Sequence, residues 1–203
     1  MAHAAELPLH RMTFDAASPI DASAENAGAP QRLAPATSAP FKPNVRFLLA
    51  HPAHFVALGF GSGLSPVAPG TAGTLWAWLA YLALQPFMSS AQMGWLIVGA
   101  TLVGWWACTV TARNMGVQDP GSIVWDEVVA FWLVLWLVMP AGLPGQFAAF
   151  VLFRFFDAVK PGPIGWADRQ FKGAGARGGF GILFDDFVAA FCTLLLIAAW
   201  RFW

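Results

Sequence analysis

Five apolar segments, joined by short linkers, set the strongest limit on how this chain of 203 residues can fold. Two of them reach the roughly 20 residues that a helix needs to cross a bilayer, and the others are shorter. Charged residues make up only 11% of the chain, whereas an ordinary soluble domain carries about 25%. We therefore expect an all-α fold: a multi-helix, membrane-embedded bundle with about four to five apolar segments and short cytoplasmic motif loops. The segments are residues 73–88, 93–112, 123–139, 146–159 and 182–200.

The first part of the chain differs from the rest in composition. Residues 1–45 are rich in Ala, Pro and Ser and have no sustained helical or strand period. They also lack the charged, apolar and cleavage-site succession of a secretory signal. We therefore expect a disordered cytoplasmic extension over residues 1–45, followed by a helical membrane domain over residues 46–203.

Charge in the linkers predicts the orientation of the chain in a membrane. The linkers at residues 85–92 and 139–146 contain no charged residue, whereas residues 113–122 and 160–177 carry Arg and Lys. Basic linkers are retained on the cytoplasmic side of a membrane. We therefore expect a multi-pass protein whose charged linkers face the cytoplasm.

Acidic residues cluster on this predicted cytoplasmic side. Asp126 and Glu127 open the third apolar segment, Asp157 closes the fourth, and Asp185 and Asp186 open the fifth. Five anions packed together repel one another and would take up protons unless a cation compensated them. All four histidines precede the first apolar segment, which argues against zinc, and oxygen ligands favour a hard cation. The pattern indicates a Mg2+ site, although any single acid could instead be a topological anchor or a salt-bridge partner.

Basic residues beside these acids suggest a place for phosphate. Arg154 precedes Asp157 by three residues and therefore shares its helix face. Lys160 follows a turn later, and Pro161 is expected to end the helix. Arg154 could simply neutralise Asp157, or Arg154 or Lys160 could receive a phosphate beside the metal.

Two glycine-rich segments, residues 59–75 and 173–181, are predicted to be loops on the same side. Glycine lets backbone N–H groups approach an anion, and Thr71 or Thr74 lies where a helix N-terminus would add its dipole. Neither segment has the sequence of a nucleotide P-loop. Tight turns at a membrane surface also use glycine, so both interpretations stay open, although Arg177 favours an anion site.

Several other functions fit the sequence less well. A net charge of zero gives no footprint for nucleic acid, which needs clustered Lys and Arg. Both cysteines lie inside apolar stretches and are expected to be small buried hydrophobes. A transporter or channel, the main alternative, predicts acids near the bilayer midplane. A purely structural membrane protein predicts that Asp185→Asn changes no activity. A phosphatidyltransferase is closer, but its aspartate signature is absent.

Four separately spaced motifs resemble those of phosphatidylglycerophosphatase A, a family of bacterial membrane lipid phosphatases. They are "GSGLSPVAPGTAGTL" (61–75), "IVWDEVVAFW" (123–132), "FRFFDAVKPGPI" (153–164) and "GGFGILFDDFVAA" (178–190). The resemblance covers about residues 55–195. It departs from the family pattern at three packing positions, which leaves every carboxylate in place. The three positions are Ala130, Leu183 and Ala190.

The resemblance implies an all-helical enzyme of phospholipid biosynthesis at the bacterial inner membrane. Such an enzyme uses Mg2+ to hydrolyse the terminal phosphomonoester of phosphatidylglycerophosphate, which gives phosphatidylglycerol and inorganic phosphate. Direct attack by water and an aspartyl-phosphate intermediate both stay open, as do one or two metal ions and the oligomeric state. The predicted metal-binding and catalytic residues are Asp126, Glu127, Asp157, Asp185 and Asp186, and the predicted phosphate-binding residues are Arg154, Lys160, Arg177, Ser65, Thr71 and Thr74.

Overall fold

All regular structure in the described part of the chain is helical. The computed structural model describes residues 41–170 and 175–201, so most of the predicted extension over residues 1–45 lies outside the described residues. The predicted all-α fold is confirmed there. The helices are α1 (Val45–Ala50), α2 (Pro52–Ala57), a 3-10 helix (Gly59–Leu64), α3 (Pro69–Leu84), a second 3-10 helix (Gln85–Phe87), α4 (Ser90–Met115), α5 (Trp125–Val138), α6 (Leu143–Val159), α7 (Pro163–Gln170) and α8 (Ala176–Arg201).

Local sequence explains several helix ends. Ser89 and Gln92 form a reciprocal capping box at the start of α4, which satisfies backbone groups that the first turn leaves free. Gly116 ends α4 with a left-handed φ of 67°, a conformation that glycine adopts without steric cost. Helix α6 ends at Val159, just before Lys160 and Pro161, where the sequence predicts its end.

Helix α5 forms the centre of the bundle. It packs against α3, α4, α6 and α8, and most of its side chains are buried. The Trp125 indole donates to the Ala100 carbonyl of α4 at 2.9 Å, and the Trp132 indole donates to the Ala77 carbonyl of α3 at 2.8 Å. A tryptophan can be buried at low cost only when its N–H finds such a partner. These bonds fix the rotation of α5 relative to α3 and α4.

Within residues 41–170 and 175–201, two helices are long and apolar enough to cross a membrane by length and composition. They are α4 and α8, each of 26 residues. Both carry large apolar side chains that are exposed on the outside of the bundle, among them Leu102 of α4 and Leu195 of α8. The five predicted apolar segments overlap α3, α4, α5, α6 and α8. The number of these helices that cross a bilayer stays a prediction.

The glycine-rich segments are partly helical, so the prediction of two loops was wrong in part. Helix α3 begins at Pro69 and helix α8 at Ala176. Their glycines allow close packing: a Cβ on Gly73 would lie 2.6 Å from Val124 Cβ, and one on Gly179 would lie 1.9 Å from Thr109 Oγ1. Glycine is used there because neighbouring elements approach the helix backbone, not because the chain turns.

Candidate functional site

Three buried carboxylates from two helices meet at one end of α5. Asp126 and Glu127 lie in its first turn, and Asp186 comes from α8. One oxygen of each of these three residues lies within 4.8 Å of the others. We call Asp126, Glu127 and Asp186 the carboxylate triad. The first turn of a helix favours negative charge, but three buried anions at this spacing still repel one another strongly.

The triad contains oxygens that have no hydrogen-bond partner among the described residues. These are Asp126 Oδ1, Glu127 Oε2 and Asp186 Oδ2, all buried. Buried polar atoms in proteins are almost always paired. Because all the ligand atoms offered are carboxylate oxygens, the triad fits a hard divalent cation such as Mg2+. A cation there would satisfy these atoms and relieve their repulsion.

Arg154 of α6 neutralises one side of the triad. Its Nη1 lies 3.6 Å from Glu127 Oε1, hydrogen-bonds to Asp157 and lies 3.5 Å from Thr74 Oγ1 of α3. We call Arg154, Glu127, Asp157 and Thr74 the Arg154 cluster. The Nε atom of Arg154 is buried and has no partner within the described residues. The guanidinium therefore keeps a donor for a further oxygen.

The N-terminus of α3 approaches the same cluster through Gly70. A Cβ on Gly70 would lie 2.2 Å from Glu127 Oε1 and 3.0 Å from Arg154 Nη2. Its carbonyl accepts a hydrogen bond from Thr74 Oγ1 at 2.9 Å. Only glycine fits this position without displacing the ion pair. Gly70 was not predicted to be part of the site, although its position directly after a proline indicates that it lies in the first turn of a helix.

Lys160 pairs with Asp185, which is next to the triad residue Asp186 in sequence. It hydrogen-bonds to Asp185 of α8, and its Nζ lies 2.9 Å from Asp168 Oδ1 of α7. We call Lys160, Asp168 and Asp185 the Lys160 cluster. Burial lowers the pKa of Lys160, but the hydrogen bonds and charges of Asp185 and Asp168 outweigh this effect and raise the pKa above its ordinary value. The amine therefore stays protonated between two acids.

The structure gathers the five predicted carboxylates into one region. Asp157 joins the triad through Arg154, and its carboxyl also interacts with that of Asp186. Asp185 is next to Asp186 in sequence and pairs with Lys160. Asp168 was not predicted to be part of the site, because it lies outside the apolar segments.

The other residues predicted to contact phosphate differ in where the structure places them relative to the carboxylates. Thr74 contacts Arg154, whereas the Ser65 hydroxyl donates to the Val67 carbonyl in its own loop at 2.8 Å. Thr71 is exposed in the first turn of α3, and Arg177 is exposed in the first turn of α8. Roles for Ser65, Thr71 and Arg177 in binding phosphate stay predictions.

The fold is that of a helical protein with membrane-type helices, and its site is a buried group of acids with Arg and Lys nearby. Such a site suits phosphate chemistry with a divalent cation. The chain belongs to the phosphatidylglycerophosphatase A family, which matches residues 55–201. The resemblance found in the sequence is thereby confirmed. The matched region contains all the predicted site residues, and the family does not support the transporter or channel alternative.

Individual relatives agree with this assignment. The chain is 40% identical to phosphatidylglycerophosphatase A of Escherichia coli, over 71% of this chain and 80% of the relative. It is 37% identical to phosphatidylglycerophosphatase A of Haemophilus influenzae, over 79% of this chain and 96% of the relative. A candidate phosphatidylinositol-3-phosphatase of Bacteroides thetaiotaomicron is also 37% identical, over 72% of this chain and 91% of the relative. No solved structure matches the chain.

Proposed function

We propose that this protein is a phosphatidylglycerophosphatase. It hydrolyses the terminal phosphomonoester of phosphatidylglycerophosphate and yields phosphatidylglycerol and inorganic phosphate in phospholipid biosynthesis. The observation that carries the proposal is the carboxylate triad with its unpaired oxygens, together with Arg154 paired to Glu127 of the triad and Lys160 paired to Asp185, the neighbour of Asp186 in sequence. Membership of the phosphatidylglycerophosphatase A family supports the choice of lipid.

The proposed cofactor is Mg2+, held by the triad together with Asp157 or Asp185. The buried, unpaired oxygens of the triad support this choice because oxygen-only ligands suit a hard cation. When bound, Mg2+ neutralises the carboxylates and polarises a phosphoryl oxygen.

The basic residues bind and orient the phosphate. The unpaired Nε of Arg154 donates to a phosphate oxygen, and this charge-assisted bond strengthens as negative charge develops there. The remaining N–H of Lys160 donates to another phosphate oxygen and holds the phosphate in ground state and transition state alike. One carboxylate of the site either accepts a proton from attacking water or attacks phosphorus itself. In the net reaction a water oxygen forms the new P–O bond, the ester P–O bond breaks, and the lipid glycerol oxygen leaves with a proton.

We further propose that the protein spans the bacterial inner membrane several times, with the site at the cytoplasmic face. The exposed apolar side chains of α4 and α8 support a bilayer environment. The basic linkers beside the site support the cytoplasmic orientation. In this arrangement the acyl chains of the substrate stay in the bilayer while its phosphate reaches the carboxylates.

The test is phosphate release from phosphatidylglycerophosphate in detergent micelles, with and without Mg2+. Purified wild-type protein should release phosphate only with Mg2+, and Asp126→Asn should be inactive. Asp21→Asn makes the same chemical change outside the family region and should keep full activity. Folded wild-type protein that releases no phosphate from any phospholipid monoester would refute the proposal, and equal release without Mg2+ would refute the cofactor.

The relative from Bacteroides thetaiotaomicron makes the headgroup a second question for the same assay. Phosphatidylglycerophosphate should be hydrolysed in preference to phosphatidic acid and to phosphatidylinositol 3-phosphate. A higher kcat/KM for either of the other two lipids would change the assigned substrate but leave the reaction class intact.

A further inference from the structure

Lys160 is held by an acid that lies outside the predicted site. Its ammonium contacts Asp185 of the site and Asp168 of α7. We propose that Asp168 is a positioning residue that keeps Lys160 directed toward the substrate phosphate. This inference rests on the proposed function, because it assigns Lys160 to phosphate binding in that reaction.

The packing of α7 places Asp168 firmly. Ile164 and Ala167 of α7 are fully buried, and Asp168 lies one turn after Ile164 on the same helix face. Its side chain is only 18% exposed. The Asp168 carboxylate therefore lies on a helix that packs into the core, and this packing fixes its position.

The backbone of Lys160 is held by the same short helix. Lys160 has a left-handed φ of 47° at the end of α6, a conformation that costs free energy for a residue with a side chain. A Cβ on Gly165 of α7 would lie 2.8 Å from the Lys160 carbonyl oxygen. Helix α7 thus packs closely against the main chain of Lys160 and also binds its side chain.

The number of donors on Lys160 explains why a second acid is useful. A lysine ammonium has three N–H groups, and contacts with Asp168 and Asp185 leave one for a phosphate oxygen. Asp185 Oδ1 is buried and unpaired within the described residues, so Asp185 is also available to a cation. If Asp185 held a cation, Lys160 would keep its contact with Asp168, and its flexible side chain would remain ordered.

The test compares Asp168→Ala with Asp168→Glu, which keeps a carboxylate, and with Trp166→Phe on the exposed side of α7 as a control. Loss of a charge-assisted contact that acts on ground state and transition state alike should raise KM roughly tenfold and leave kcat within about twofold. Asp168→Glu should recover part of the loss, and Trp166→Phe should match wild type. An unchanged KM in folded Asp168→Ala would overturn the inference.

A double variant separates positioning from direct action. If Asp168 acts through Lys160, Lys160→Met with Asp168→Ala should be no weaker than Lys160→Met alone. Additive losses would overturn the inference, because Asp168 would then act independently of Lys160.

A binding measurement keeps this inference distinct from the proposed function. Inorganic phosphate should raise the thermal midpoint of wild-type protein in Mg2+, and Asp168→Ala should lose most of this shift. If wild type hydrolyses no phospholipid monoester, the proposed function fails while this arm still tests whether Asp168 supports phosphate binding. Equal shifts in the two proteins would overturn the positioning role.

Discussion

The Arg154 cluster and the Lys160 cluster solve the same electrostatic problem in different ways. The Arg154 cluster places a guanidinium between Asp157 and the triad residue Glu127, and the Lys160 cluster places an ammonium between Asp168 and Asp185. The Arg154 side chain is 17% exposed and lies among the long helices α3, α5 and α6, whereas the Lys160 side chain is 31% exposed and lies beyond the end of α6. The first cluster is fixed by the core, and the second depends on the short helix α7.

The chemistry of the two cations matches this difference. A planar guanidinium holds several oxygens in fixed directions, and Arg154 contacts Glu127, Asp157 and Thr74 at once. An ammonium on four methylene groups adjusts its direction more easily. We infer that the Arg154 cluster is the rigid side, which sets the geometry of the site, and that the Lys160 cluster is the adaptable side, which adjusts to the substrate.

Removal of a triad carboxylate should have the largest effect because the triad carries the buried, unpaired oxygens proposed to bind the cation. Asp186→Asn should lower kcat/KM for phosphatidylglycerophosphate by about 1000-fold, the order expected for loss of a group that stabilises developing charge. The measurement is Mg2+-dependent phosphate release by protein that remains monodisperse in detergent. Activity within a few-fold of wild type would show that the triad is structural.

Disturbing the rigid side by one methyl group should be the next most severe change. Gly70→Ala brings a Cβ to 2.2 Å from Glu127 Oε1, and a displacement of about 1 Å in an active site can cost on the order of 100-fold in rate. Gly99→Ala in α4 is the matched control, since its Cβ would meet nothing within 4 Å. Similar kcat/KM values for the two variants would contradict the close approach of α3.

Exchanging the two cationic side chains, Arg154→Lys and Lys160→Arg, tests directly whether the two clusters differ in rigidity. Arg154→Lys keeps the charge but loses the planar guanidinium and its Nε donor, so kcat/KM should fall roughly 30-fold. Lys160→Arg keeps the charge on the more exposed, adaptable side and should cost only about threefold. Both values come from the same phosphate-release assay. Equal losses would mean that the two clusters do not differ in rigidity.

The smallest effect should come from the Ser65 hydroxyl of the glycine-rich segment. Ser65→Ala removes a hydrogen bond to Val67 within its own loop and should leave kcat/KM within about twofold, as expected for a partly exposed neutral bond. Thr74→Val should lower kcat/KM about fivefold, because valine has nearly the volume of threonine but lacks the hydroxyl that Arg154 contacts. A larger loss for Ser65→Ala would place that hydroxyl on the substrate.

The sequence predicted the acids of the site better than their partners. Asp126, Glu127 and Asp186 stand out because charge is scarce in apolar segments and carries a high cost there. The pairing of Arg154 with Asp157 followed from helix periodicity alone. Asp168 could not be recognised, since its contact with Lys160 depends on how α7 packs after the turn that follows α6.

Glycine was the main source of error. In a sequence, the same residue indicates a tight turn or a close approach between packed elements, and only tertiary structure distinguishes the two. Residues 69–75 and 176–181 were predicted to be loops but begin helices. Gly70 marks a close approach and not a turn. Its approach to Glu127 depends on the packing of α3 against α5, which are far apart in the chain.

The burial of α5 has a consequence for heat inactivation. Asp126 and Glu127 belong to the helix that holds the core together, and its Trp125 and Trp132 indoles bind neighbouring helices. Asp126 and Glu127 therefore unfold together with the central helix of the bundle. Enzymatic activity and helical structure should disappear at the same temperature, in one cooperative transition.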